Sequence, residues 1–139
     1  MRKRVLTSAI SFILICSLFT SLALAATLRA SKYISSYNAV IYSSGNEIIV
    51  DCSITGTGRM KTIGIKSVKI YTSSGTNVAT YSYTTDGYEY LMGSDTGRKT
   101  ASVTYTGTSG KSYYAVVVFY ASDGSGGDSR SYTTKTITV

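Results

Sequence analysis

From Tyr33 onward the chain alternates apolar and polar residues with a period of two, and no long stretch repeats every 3.6 residues. In "EIIVDCSIT" (47–55), Ile48, Val50, Cys52 and Ile54 fall on one side and Ile49, Asp51, Ser53 and Thr55 on the other. A strand sends successive side chains to opposite faces, so this pattern suits a half-buried strand and would scatter the apolar groups around a helix. It also places Cys52 inside. The chain contains no proline, histidine or tryptophan, and Ser, Thr, Tyr, Val and Ile dominate after Ala26, so glycine alone punctuates the pattern.

Seven segments carry the alternation. The first runs near Tyr33–Tyr42 and turns at "SSGN" (43–46) into the second, 47–55. The third is "KSVKIY" (66–71), with Val68 and Ile70 inward, and the fourth is "VATYSY" (78–83). An irregular stretch, "TTDGYEYLMGSDTGR" (84–98), leads to the fifth, "KTASVTYT" (99–106), with Ala101, Val103 and Tyr105 on one face. In the irregular stretch, Leu91 and Met92 are expected to plug one open end of the fold. "YYAVVVFYA" (113–121) is the sixth and "SRSYTTKTITV" (129–139) the seventh. Short strands at this spacing predict an all-β domain, a seven-stranded antiparallel sandwich of immunoglobulin or fibronectin-III type.

The first 25 residues read differently. Arg2, Lys3 and Arg4 precede an uncharged run from Val5 to Leu28 that passes through the small residues Ala23-Leu24-Ala25-Ala26. That is the layout of a secretory signal helix cleaved before Ala26. The expected organisation is therefore a signal peptide over 1–25 and one β-sandwich domain over 26–139, secreted and free of the membrane after cleavage. Ile15 before Cys16 is too bulky for a lipobox. Cys52 is then the lone cysteine of the exported domain and has no internal disulfide partner. The signal also holds three of the 14 basic residues, leaving about +4 against seven acidic ones. These charges are dispersed, with only Arg98-Lys99 adjacent, so no nucleic-acid footprint is expected.

The chemistry-bearing motifs are thin. "GTSGKS" (107–112) ends like a phosphate loop, but Tyr105 stands where the first glycine belongs and a strand follows where a helix is needed. A turn explains its glycines. Asp123 and Asp128 in "SDGSGGDS" (122–129) are too few oxygens for calcium, and Gly and Asp favour a turn. Without histidine there is no triad, and nothing forces two of the seven carboxylates together across a scissile bond. No enzyme activity, cofactor or metal is expected.

Tyrosine is the remaining signal. All 13 follow the signal segment, and "TYSYTTDGYEY" gathers Tyr81, Tyr83, Tyr88 and Tyr90. In the sixth strand Tyr113, Ala115, Val117, Phe119 and Ala121 alternate with Tyr114, Val116, Val118 and Tyr120. Tyrosine combines rigid apolar area with a polar tip, which suits recognition of proteins and sugars. Tyr81, Tyr83, Tyr88, Tyr90, Tyr114 and Tyr120 are therefore the candidate binding residues. A strand-rich core without tryptophan would also use tyrosine for bulk.

The spacing G-x-x-Y-x-A-x-V-x-F from Gly110 resembles the start of strand F of an immunoglobulin-type sandwich. The resemblance makes Tyr113 the tyrosine-corner residue and turns its set inward. Cys52 stands where antibody domains place the first inter-sheet cysteine, but its partner would fall near Val117, so the disulfide-free fibronectin type is the closer analogy. Together, "SKYISSYNA" (31–39), "GTGRMKTIGIKSVKIY" (56–71), "LMG" (91–93), "SVTYTGTSGKSYYAVVVFYA" (102–121) and "DSRSYTTKTITV" (128–139) resemble a family of small exported proteins of Gram-positive anaerobic bacteria. That family carries no characterised activity, so the resemblance implies a compartment and a lineage only. The expected function is an extracellular binding module for a cell-wall or host glycan or a protein. The alternative is a small secreted effector, bacteriocin-like or signalling, or a subunit of a surface assembly.

Overall fold

A computed structural model describes residues 31–139; the expected signal segment and Cys16 lie outside the described residues. The strands are β1 (Ile34–Ser44), β2 (Glu47–Thr72), β3 (Asn77–Ser82), β4 (Met92–Thr106), β5 (Ser112–Ser122), β6 (Gly127–Thr133) and β7 (Ile137–Thr138), with one 3-10 turn over Glu89–Leu91. All are joined in a single antiparallel sheet that curls into a half-barrel.

The long strand β2 organises everything else. Its first half pairs with β1 and β4 together, so these occupy its two edges; further along, Thr62–Gly64 pair with both β4 and β5. One edge of β2 thus carries β1 and then β5, and the other carries β4 and then β3. Two irregularities bend it. Between Thr55 and Met60 five steps along β2 match only two along β4, from Arg98 to Thr96. The slack is taken up around Gly56–Arg59, where a Cβ on Gly56 would lie 2.7 Å from Met60 Cγ. A second slip against β5 falls between Ile65 and Ser67. Each slip changes which parity faces inward: Ile48, Val50, Cys52 and Ile54, then Ile63 and Ile65, then Val68 and Ile70, all buried.

The curl folds β1 over β5 and β6. Tyr37 of β1 packs against Phe119 of β5 at 5.4 Å and edge-on to Tyr132 of β6 at 6.4 Å. Tyr113, Ala115, Val117, Phe119 and Ala121 are all buried, as the inward reading of the sixth strand requires. The β1–β2 turn is two residues, Gly45-Asn46, with positive φ at Gly45 alone, the pattern of a type II′ hairpin.

Three boundaries differ from the sequence reading. The second and third expected strands are one strand, because a slip in parity looks like an interruption when no partner is in view. The expected irregular stretch 84–98 ends at Leu91: Met92–Arg98 belongs to β4, with Asp95 at φ 53 between the paired residues Ser94 and Thr96. Leu91 is fully buried, whereas Met92 is only half-buried and opens the strand. The expected last strand is two, β6 and β7, both on β5. Between them Thr134 keeps contact with Ala115: its amide donates to the Ala115 carbonyl and its Oγ1 accepts from the Ala115 amide, both at 2.9 Å.

Candidate binding surfaces

The six candidate tyrosines divide between the two faces of the sheet. Tyr81 stands opposite buried Val68 and so points inward, toward the seam between β3 and the second half of β4. Tyr88 packs on it at 5.1 Å and Tyr90 on Tyr88 at 6.1 Å; Tyr83 packs separately against the core. The hydroxyls at this seam have specific work. Tyr81 Oη donates to the Thr104 carbonyl at 2.8 Å and Tyr90 Oη to the Ser102 carbonyl at 2.9 Å. These are successive outward-facing carbonyls on the free edge of β4, so two side chains stand in for a neighbouring strand. An open edge invites pairing with another chain, and this one is closed by tyrosine. Burial, then the neighbouring tyrosines, push the Tyr81 hydroxyl above its ordinary pKa, and burial does the same for Tyr90, which keeps both as donors.

Replacing Tyr81 or Tyr90 by Phe is expected to cost about 1 kcal/mol each, the usual net value of one such bond. Denaturant unfolding measures the loss, and an unchanged midpoint in both variants would show that the caps contribute nothing.

Tyr114 and Tyr120 lie on the opposite, outer face. Tyr114 stands opposite Tyr71 of β2, and their rings stack at 5.3 Å and 12°. Tyr120 carries the Lys66 ammonium 4.9 Å above its ring, a cation–π contact. Val116 and Val118 continue the row, all half-buried, between Lys69 and Ser67 of β2 and Thr133, Ser131 and Ser129 of β6. Sequence reading missed Tyr71 and Lys66. Tyr71 was within reach, because Val68 and Ile70 inward put Tyr71 outward; Lys66 was not, because it sits at the slip in β2.

A second outer surface lies over β1, the first half of β2, and β4. Asn38, Val40, Asp51, Ser53, Thr100 and Ser102 line a shallow groove of about 430 Å³. Ser102 Oγ donates to Asp51 Oδ1 at 2.6 Å, and the same carboxylate raises the pKa of Tyr42 beside it. Cys52 is buried beneath, and desolvation, with Asp51 adding to it, pushes its thiol up to about 12. It is held as the unreactive thiol.

The loop carboxylates are occupied. Asp123 Oδ1 accepts from Ser125 Oγ at 2.7 Å, Ser125 N at 2.9 Å and Gly126 N at 3.1 Å, which lowers its pKa. Asp128 pairs with Arg130 at 2.8 Å. Among the described residues no group of three or more Cys, Asp or Glu is placed to hold a metal ion. Tyr113 accepts a hydrogen bond from the Thr108 amide at 2.9 Å, and that bond draws its pKa down. No family model, curated protein or solved structure matches the chain.

Proposed function

We propose that this chain is a secreted binding module of immunoglobulin or fibronectin type, recognising an extracellular glycan, wall polymer or protein through the outer face of β2 and β5. The observation that carries the reading is the stacked Tyr71–Tyr114 pair, continued along β5 by Val116, Val118 and the Lys66-capped Tyr120. Cross-strand register holds these rings on a rigid support, so little ordering entropy is lost when a ligand lies across them. Flanking serine and threonine hydroxyls offer hydrogen bonds, and tyrosine faces suit the apolar faces of sugar rings. The backbone bond to Tyr113 supports the kinship with immunoglobulin-type sandwiches, where the corner tyrosine bonds the backbone a few residues upstream. Export rests on the basic start and uncharged run of residues 1–25 and fits the resemblance to exported proteins of Gram-positive anaerobes.

The test is a pull-down of the purified protein on bacterial cell walls, insoluble polysaccharides and mucin at low and high salt. Binding that survives salt and is lost in Tyr71→Ala/Tyr114→Ala, but retained in Tyr81→Phe/Tyr90→Phe, supports the outer face. Binding to none of these, or binding abolished by salt and indifferent to Tyr71 and Tyr114, overturns it.

A further inference from the structure

The net charge of the described residues is gathered at one end of the fold. Residues 31–33, 56–61, 94–99 and 122–127 meet there. The Thr57 amide donates to the Tyr33 carbonyl at 3.0 Å and its Oγ1 to the Lys32 carbonyl at 2.8 Å, Arg98 stands opposite Thr55, and a Cβ on Gly97 would lie 3.3 Å from the Gly58 carbonyl oxygen. The β5–β6 loop closes the group, with Gly124 against the Lys61 side chain and Gly126 against the Tyr33 hydroxyl. These segments carry five of the ten basic side chains among the described residues, Lys32, Arg59, Lys61, Arg98 and Lys99, but only two of the seven acidic ones, Asp95 and Asp123. Elsewhere five basic side chains balance five acidic ones. The excess of three positive charges therefore belongs wholly to this end.

The charge is also accessible. Lys32, Arg59, Lys61 and Arg98 are exposed and Lys99 is half-buried. None of the five forms an ion pair among the described residues, and Asp123 commits its Oδ1 to Ser125 and Gly126 of its own loop. Gly56, Gly58, Gly97, Gly124, Gly126 and Gly127 fill much of the remaining surface, so few side chains stand between these cations and anything that approaches them.

We propose that this end binds a linear polyanion that carries a phosphate or sulfate on successive repeats. A single exposed cation contributes little in water, so a small anion touching one or two of them would not be held. A polymer that lays several anionic groups across cations from separate segments gains from each in turn, because every contact after the first is intramolecular. Arg59 and Arg98, on either side of the Gly58–Gly97 contact, supply planar forks that give paired hydrogen bonds to tetrahedral oxyanions. An anionic bilayer fits less well. The exposed large apolar side chains among the described residues, Val40, Tyr42 and Tyr90, all lie outside these segments, so nothing here inserts between lipids. Nucleic acid also fits less well, because Tyr33 is the only aromatic residue in these segments and is half-buried against Gly126, which leaves no platform for stacked bases. The site is separate from the tyrosine row on β2 and β5 and does not depend on that row binding a ligand.

Titration calorimetry of the purified protein with inorganic polyphosphate and with heparin tests it. Binding to either is the expected result, and the tighter of the two tells whether phosphate or sulfate is the preferred group. Affinity should fall with a log–log salt slope of about −3, the value for roughly four contacts along a flexible strand. Arg59→Ala/Arg98→Ala should weaken binding about tenfold or more, with circular dichroism unchanged because both side chains are exposed. Lys111→Ala/Lys135→Ala removes the same charge elsewhere and should cost about twofold or less. Tyr71→Ala/Tyr114→Ala should bind both polymers normally, which separates this site from the outer face. Failure to bind either polymer at about 50 mM salt overturns the proposal. So does an equal loss in the two charge variants, since net charge alone would then be at work. Tighter binding to vesicles of anionic lipid or to single-stranded DNA than to either polymer also overturns it.

Discussion

Phe119→Ala is expected to lower the free energy of unfolding by about 3–5 kcal/mol, the range for deleting a buried phenylalanine ring. Phe119 is fully buried at the centre of β5, and its ring meets Tyr37 across the curl of the sheet. Strand β1 is hydrogen-bonded to β2 only, so its position over β5 depends on side-chain contacts such as this one. The cavity left by alanine would open under β1, where no backbone ladder resists. Thermal unfolding should register the change as a fall of roughly 15 °C or more for a domain of this size. A loss below about 1 kcal/mol would mean that Tyr37 and its neighbours collapse into the space and that the ring is dispensable.

Gly64→Ala should be nearly as damaging, for a different reason. A Cβ there would fall against the Leu91 carbonyl oxygen and lie 2.8 Å from Met92 Cα, both backbone atoms that no rotamer change can move aside. Forced overpacking costs about 1–3 kcal/mol, and a backbone clash belongs at the upper end. The displaced segment is the 3-10 turn that carries Tyr90, so the cap on Ser102 should loosen as well. Gly58→Ala is the matched control. Nothing lies within 4 Å of its added carbon and its φ is not positive, so its stability should hold or rise by about 0.5 kcal/mol. Denaturant unfolding of the two variants side by side decides it, and equal stability would show that the chain yields at Leu91–Met92 without cost.

How much was legible beforehand follows from what each feature depends on. The inward set of β5, the burial of Cys52, and the orientation of Val68 and Ile70 are visible in local alternation, because a strand's period of two needs no partner to be read. The continuity of β2 is not visible, because two slips shift its parity and mimic chain breaks. The first turn of β4 was equally hidden: "GSDTG" has the composition of a loop, yet Asp95 takes a left-handed conformation inside a paired strand. The candidate tyrosines were legible as a population and illegible as sites. Which of them face water, and which donate to the β4 edge, depends on residues more than ten positions away, as Tyr81 with Thr104 and Tyr90 with Ser102 show.

The sequence by itself determined that residues 31–139 form an antiparallel β protein, since alternation, β-branched and tyrosine-rich composition and glycine turns act over a few neighbours at a time. Only the tertiary structure decided that β2 spans both halves of the curl, that Tyr71 stacks on Tyr114, and that Tyr81 and Tyr90 cap the free edge of β4. Those outcomes follow from register between distant segments, where a shift of one residue exchanges the two faces of a strand.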